Sequence, residues 1–266
     1  MSENLEVVVV QSDVNYGEPE LNINLLTKLT SQVQLPKEQQ SLFMLPELFL
    51  TGYDPQTINT LAEVLGEGKS THFLLDLAKN KESWIFASLP ERHEDSIFNT
   101  AVLVSPDGVI THSYRKVHLF RPLNEHIIFQ PGNEVVVGDL PWGRTGLAIC
   151  YDLRFAELFL RFRSAKTALI LLCAEWPLTR ADHWVNLVRA RAIENQCFFA
   201  SVNRVGTDPT GTYGGHSLVV DPKGQVLAQL GSQTSLASVR INFEEVLRAR
   251  ELFDISKEAL LPASNK

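Results

Sequence analysis

The sequence is short of positive charge: 24 lysines and arginines stand against 31 aspartates and glutamates, a formal net charge of −7. Nucleic-acid binders need a basic surface to release phosphate counterions, so that class is set aside. Cysteine is scarce as well. Cys150, Cys173 and Cys197 are odd in number and have no metal-type spacing, which argues against a disulfide framework and fits a reducing compartment. No apolar run approaches a membrane span in length, and the longest, Thr167 to Ala174, suits a buried strand. Met1 to Glu6 is polar and acidic and leads straight into Val7–Val10, without the basic start and apolar stretch of a secretory signal. A cytoplasmic protein with neither nucleic acid nor membrane as partner is expected. The seven histidines show no zinc-type pairing, which speaks against a metallohydrolase. Gly-x-Ser-x-Gly is missing, and with it the serine nucleophile elbow.

What is present is an ordinary globular balance, 44% hydrophobic and 21% charged, enough for a large core in 266 residues. Short apolar runs alternate with amphipathic segments, the pattern of an α/β fold. Strands are predicted over Leu5–Gln11, Ser41–Pro46, Trp84–Leu89, Thr145–Ile149, Ala168–Leu172 and Phe198–Val202. Helices are predicted over Asn22–Val33, Thr71–Asn80, Phe155–Ala165 and Thr179–Gln196, the last beginning at a capping residue. Thr100–Ser105 and Val109–Tyr114 flank the turn Pro106-Asp107-Gly108, and Ser217–Val220 and Gln225–Ala228 flank Asp221-Pro222-Lys223-Gly224. Both read as antiparallel hairpins. Crossover helices ask for parallel strands, so mixed sheets follow, and apolar runs instead of alternation ask for cover on both faces. A four-layer α-β-β-α sandwich satisfies this. No Gly/Ser-rich linker or charge block divides the chain, and one domain over 1–266 is the reading.

Four residues are placed where chemistry is possible. Cys150 ends the apolar strand Gly146-Leu147-Ala148-Ile149 and precedes a polar turn, so a strand end can hold its thiol toward a cleft. An inert buried thiol is the commoner fate of a cysteine. Glu47 lies inside Met44-Leu45-Pro46-Glu47-Leu48-Phe49, costly to bury without a partner, although a surface glutamate after proline reads equally well. Lys116 follows a hairpin strand and Glu125 sits in Asn124-Glu125-His126; each is ordinarily a solvated charge.

Their flanking words are more informative. Leu45-Pro46-Glu47-Leu48-Phe49, Tyr114-Arg115-Lys116-Val117-His118-Leu119-Phe120 and Cys150-Tyr151-Asp152-Leu153-Arg154-Phe155 closely resemble, in order, the three signature blocks of the nitrilase (carbon–nitrogen hydrolase) superfamily. The resemblance continues through Glu175-Trp176-Pro177, Arg189–Asn195 and Asn203-Arg204-Val205-Gly206 to Asp221–Gly224, nearly the whole chain. It implies the α-β-β-α sandwich, usually paired into a homodimer. It also implies Cys150 as nucleophile, Glu47 as general base, Lys116 as stabiliser of the tetrahedral intermediate, and Glu125 as a fourth acid that orients substrate or supports proton transfer. Two positions depart from the pattern: Ala156 where relatives carry Pro, and Glu175 where some carry Asn or Gln.

The implied chemistry is amide hydrolysis through a thioester, which divides one hard step into two. A carboxylate takes the thiol proton and returns it to departing ammonia. The Lys116 ammonium and the backbone N–H of Tyr151 form the oxyanion site, and no metal or organic cofactor is called for. Within the superfamily, His118-Leu119-Phe120-Arg121, Asn124-Glu125-His126, Trp176-Pro177 and His183-Trp184 look most like the ω-amidase branch, which acts on small ω-amides such as 2-oxoglutaramate and succinamate. A substrate carboxylate wants a guanidinium; Arg121 and Arg180 are the candidates, and Trp176 a candidate wall, though arginine is ordinarily on the surface and tryptophan in the core. N-carbamoyl hydrolysis and a catalytically silent binding scaffold are the alternatives. Gly66-Glu67-Gly68-Lys69-Ser70-Thr71 mimics a phosphate-binding loop but has Glu63 where the first Gly belongs.

Overall fold

A computed structural model describes residues 4–35 and 39–258; the first three residues of the acidic start and the last eight of the 1–266 domain lie outside the described residues. In chain order the first half gives β1 (Asn4–Gln11), α1 (Pro19–Ser31), β2 (Ser41–Met44), α2 (Pro55–Leu61), α3 (Lys69–Lys81), β3 (Trp84–His93), β4 (Ser96–Val104), β5 (Ile110–Arg115) and α4 (Glu125–Ile128). The second half gives β6 (Val137–Leu140), β7 (Gly143–Ile149), α5 (Ala156–Ser164), β8 (Leu169–Ala174), α6 (Ala181–Asn195) and β9 (Phe198–Asn203). It closes with β10 (Val205–Asp208), β11 (Gly211–Gly214), β12 (Leu218–Val220), β13 (Val226–Gln229), β14 (Ser235–Asn242), α7 (Glu244–Leu252) and α8 (Ile255–Glu258).

The strands form two six-stranded mixed sheets, ordered β14-β1-β2-β3-β4-β5 and β13-β12-β9-β8-β7-β6, and a small β10-β11 hairpin. Each large sheet has a parallel trio at its centre, β1-β2-β3 in one and β7-β8-β9 in the other. Antiparallel strands flank both trios, one on one side and two on the other.

The central strands read as unbroken apolar runs because both faces are covered. Along β1, Leu5, Val7 and Val9 point into the core shared by the two sheets. Val8 and Val10 point the other way, to Leu26 and Leu29 of α1 and Leu74 and Leu77 of α3. On the far side, Phe159 and Phe162 of α5 and Trp184, Val188 and Ala192 of α6 cover the second sheet. The layers are therefore helix, sheet, sheet, helix. Among the described residues no helix is long and apolar enough to cross a membrane.

Both turn signals give hairpins, β4-β5 and β12-β13, with Gly108 at φ +70° and Gly224 at φ +83° taking the left-handed positions. The long helix differs from expectation at its start. It begins at Ala181 after a single 3-10 turn, Leu178–Arg180, so Thr179 is not its cap; Arg180 holds that place and makes no side-chain cap bond. The sequence pattern also leaves α2, β6, β10, β11, β14 and α7 unassigned. β14 pairs along β1 as an edge strand and is mostly half-buried, so its apolar pattern is diluted.

The phosphate-loop mimic is resolved by the glutamate that breaks it. Glu63 accepts the Ser70 N–H at 2.9 Å and the Thr71 N–H at 2.6 Å, and also the Thr71 hydroxyl. A carboxylate thus occupies the anion seat at the start of α3, and a Cβ on Gly68 would collide with it.

Candidate active site

The two sheets bring the carboxyl ends of their strands to one buried cluster. Glu47 lies three residues beyond β2 in a turn held by Leu48, whose N–H donates to Ser88 Oγ at 3.0 Å and whose carbonyl accepts from Thr51 and Gly52, both at 2.9 Å. Lys116 follows β5 directly, Glu125 opens α4, and Cys150 follows β7. None of Glu47, Lys116 and Glu125 is more than 1% exposed, and Cys150 is 7% exposed.

Lys116 is the centre of charge. Its Nζ donates to Glu47 Oε1 at 2.8 Å, to Glu125 Oε1 at 2.7 Å and to the Tyr53 hydroxyl at 3.1 Å. Glu47 Oε1 also accepts from the Tyr53 hydroxyl at 2.6 Å and from Asn99 Nδ2 at 2.7 Å, while its Oε2 accepts the Glu175 N–H at 2.8 Å. Tyr53 reaches Glu125 Oε1 too, and Glu125 Oε2 accepts the Phe120 N–H at 2.8 Å.

The two carboxyls are driven apart. Burial acts to raise Glu47, but the Lys116 ammonium and the bonds from Lys116, Tyr53 and the Glu175 N–H hold it below the ordinary glutamate value. Burial lifts Glu125 above that value, and the Glu47 charge adds to it against Lys116. The two environments thus pull in opposite directions, one carboxyl below the ordinary value and its neighbour above it. Burial and the Glu47 charge push the Cys150 thiol well above its usual range, so it rests protonated. Such a thiol needs a base in order to attack. Lys116 is lifted well above its ordinary value: burial opposes the charge, but the two glutamates outweigh it.

The turn carrying Cys150 is strained and braced. Cys150 has φ +43°, a left-handed conformation that costs a non-glycine residue about 1–3 kcal/mol. Asp152, fully buried, holds the turn: Oδ2 accepts the Ile149 N–H at 3.0 Å and the Tyr114 hydroxyl at 2.8 Å, and Oδ1 accepts the His118 N–H at 3.1 Å. His118 stacks on Phe155 at 3.7 Å. The second signature block is thereby tied to the third.

A cavity of about 320 Å³, counting its open mouth, is lined by Cys150 and Glu125 at its base and by Tyr151, Trp176, Arg154 and Arg180 along its walls. The Trp176 backbone is clamped by Asn203, which accepts its N–H at 2.6 Å and donates to its carbonyl at 3.1 Å. Its indole N–H donates to the Arg180 carbonyl at 2.8 Å, and the Arg154 guanidinium lies 4.6 Å over its ring. Arg121 lies elsewhere. It is exposed and lines a second, wider cleft with His126, on the far side of Tyr151; its neighbour Phe120 takes the place in the first cavity. The 3-10 turn Arg121–Leu123 makes this one-residue difference decisive. Among the described residues no group of His, Cys, Asp and Glu is arranged to hold a metal ion.

Sequence reasoning passed over Tyr53, Asn99 and Arg154. Arg154 stands in the third block and was readable there, since a position four beyond Cys150 in a tight turn faces the same cavity. Tyr53 and Asn99 sit in an unremarkable Gly-Tyr pair and a strand, and only folding brings them to Glu47.

Comparison with known proteins agrees with this arrangement. The profile of the family described as Carbon-nitrogen hydrolase matches residues 7–251. A 2-oxoglutaramate amidase of Bacillus subtilis is 34% identical, over 91% of this chain and 92% of its own. A deaminated glutathione amidase of Dictyostelium discoideum is 35% identical over 79% of each chain. Among solved structures, a CN-hydrolase superfamily protein of Xanthomonas campestris superposes with a TM-score of 0.88 at 30% identity, covering 97% of this chain and 98% of that one.

Proposed function

The chain belongs to the carbon-nitrogen hydrolase family, the nitrilase superfamily, and from that premise we propose that it is an amidase releasing ammonia from a small ω-amide of the 2-oxoglutaramate or succinamate type. The observation that carries this reading is the Cys150 thiol lining a cavity with Glu125, close to the Glu47 charge and to the buried Lys116 ammonium that pairs with both glutamates.

In this reading Glu47 takes the thiol proton as Sγ attacks the amide carbon. The carbonyl π electrons move onto oxygen, where the Lys116 ammonium and the Tyr151 N–H stabilise them. Glu47 returns the proton to the amide nitrogen, the C–N bond breaks, and ammonia leaves a thioester on Cys150. Water, deprotonated by Glu47, then adds to the thioester carbon; the C–S bond breaks, the proton returns to sulfur, and the carboxylic acid departs. Glu125 keeps Lys116 in place from its other side and orients the amide.

The substrate class rests on the cavity. Its lining sets Cys150 and Glu125 together with Arg154, Arg180 and Trp176. Burial and the adjacent Arg180 charge pull the Arg154 guanidinium below its ordinary value, a strain that a ligand carboxylate relieves. A dicarboxylic monoamide supplies that carboxylate. We read 1–266 as one domain of a cytoplasmic homodimer: the free, buried cysteines fit a reducing compartment, and a monomeric mass by light scattering at micromolar concentration refutes the dimer.

Ammonia release from 2-oxoglutaramate, succinamate, glutamine and N-carbamoyl amino acids tests the proposal. Turnover of the first two, lost in C150A with an unchanged circular dichroism spectrum, is the expected result. Carbon dioxide released along with ammonia from the carbamoyl compounds moves the reading to an N-carbamoyl hydrolase. Silence on every compound leaves the cysteine-hydrolase class standing and moves the search to larger amide substrates.

A further inference from the structure

Glu175 is a buried acid of the cavity that the chemistry above does not use. It follows β8 directly, and its N–H is committed to Glu47. Its side chain has no exposed surface. Oε2 accepts from Arg204 Nη1 at 3.1 Å, whereas Oε1 has no hydrogen-bond partner among the described residues. Buried polar atoms are almost always paired, and Glu175 is one of the residues that line the cavity, so its orphaned oxygen asks for a partner.

The surroundings say which proton state meets that partner. The cation beside Glu175 is Arg204, itself fully buried and already shared: it donates to Asp13 Oδ1 at 2.9 Å, to Asp208 Oδ2 at 2.5 Å and to the Val14 carbonyl at 2.6 Å. Tyr213 lies under the same guanidinium, 4.3 Å from its ring centre. From the other side come the Glu47 charge and, across the cavity, Arg154 and Arg180. Burial first, then the charges of Glu47 and Asp208, push the Glu175 carboxyl up to about 8 in spite of Arg204. It therefore holds its proton to higher pH than an ordinary glutamate, and because Oε2 faces the Arg204 donor, Oε1 is the oxygen open to carry it.

We propose that Glu175 is a specificity-determining residue whose Oε1 donates a hydrogen bond to the oxygen-bearing far end of the substrate, its 2-oxo or carboxylate group, beside Trp176 and Arg180. The proposal rests on the amidase reading of this site. A protonated acid accepts an anionic substrate end without repulsion; once ionised, the same atom faces it as a second negative charge. A glutamine reproduces both bonds, its carbonyl toward Arg204 and its amide N–H toward the substrate, but it does not titrate. A leucine reproduces neither.

Steady-state kinetics on wild type, E175Q and E175L test this, with 2-oxoglutaramate and with butyramide, which has no polar far end. At pH 7, E175L is expected to raise KM for 2-oxoglutaramate about tenfold or more with kcat within about threefold, and to move KM for butyramide less than about twofold. E175Q recovers most of the loss. Between pH 7 and 9 wild-type kcat/KM falls about tenfold as Glu175 ionises, and E175Q flattens that limb. A limb unaltered in E175Q, or a KM raised equally for both substrates, overturns the proposal. Should E175L fail to fold, the E175Q profile decides alone. An enzyme inactive on every ω-amide overturns the amidase reading itself, whereas an active one that ignores E175Q overturns only the role of Glu175.

Discussion

In each large sheet the middle strand of the parallel trio, β2 in one and β8 in the other, runs out just before a buried glutamate. Glu47 and Glu175 thus stand at corresponding places, 0% and 2% exposed, and a single hydrogen bond joins them, Glu175 N–H to Glu47 Oε2 at 2.8 Å. Their carboxyls nevertheless end in opposite states. Glu47 collects Lys116, Tyr53, Asn99 and a backbone N–H, and is held ionised against its burial. Glu175 has one cation, and that cation also answers to Asp13 and Asp208. Burial penalises both charges alike; the supply of donors decides. Two sheets of one design thereby hold one carboxyl below its ordinary value and push the other above it, within a hydrogen bond of each other, and burial alone would have moved both the same way.

The same isosteric change separates the two most sharply. E47Q keeps the shape and keeps an acceptor for Lys116 but cannot take a proton from Cys150. The expected loss in kcat is about 10²- to 10⁴-fold, the usual contribution of general acid–base catalysis, with far-UV circular dichroism unchanged. Stopped-flow detection of ammonia in a single turnover separates a slow thioester formation from a slow release. If E47Q and E175Q lose activity to the same extent, the contrast drawn between the two positions collapses.

The contrast was half visible in the sequence. Glu47, Lys116 and Cys150 came with distinctive neighbours because each sits at a strand end where packing and backbone geometry constrain several residues at once; Pro46 leads into the tight turn that Leu48 closes. Glu175 was visible only as a departure in a familiar word, a charge where an amide is common. Its meaning depends on Arg204, 29 positions later, and on Asp13, 191 positions before that arginine. Nothing local reports such a pairing. The fold was legible for the same reason that the blocks were: strands covered on both faces leave apolar runs, and Pro-Asp-Gly leaves a turn. β14 and α7, at the edge of the sheet and half in water, leave neither, and the start of α6 was misplaced because a 3-10 turn takes the place of a side-chain cap. Arg121 illustrates the limit of resolution: the residue beside it reaches the cavity and it does not.

Stability against pH sharpens the comparison with opposite signs. The folded carboxyl of Glu175 sits near 8, above its unfolded value, so between the ordinary glutamate range and about pH 8 the native state binds the extra proton and stability falls as pH rises. One proton limits the slope to about 1.4 kcal/mol per pH unit. Glu47 is lowered, so its contribution is full above the ordinary range and is lost as pH falls through the depressed value. Urea midpoints at pH 5, 6.5 and 8 are expected to decline more for wild type than for E175Q across that interval. Parallel curves would mean that Glu175 is ionised in the fold, and the donor shortage at Arg204 would have to be abandoned as the cause of its state.

A third buried glutamate supplies the control. Glu63 is 8% exposed, and it is satisfied by donors alone: the N–H groups of Ser70 and Thr71 and the Thr71 hydroxyl, at the start of α3. Among the described residues it pairs with no cation, and it is not part of the cavity lining, so its role is that of a helix cap whose removal frees two backbone donors. E63A is expected to cost about 1 kcal/mol, read as a small shift of the urea midpoint with an unchanged slope, and to leave kcat/KM within error. A fall in kcat/KM, or a cost well above that of a lost helix cap, would show that Glu63 serves the cavity as well as the helix, and it would no longer stand as a purely structural counterpart to Glu47 and Glu175.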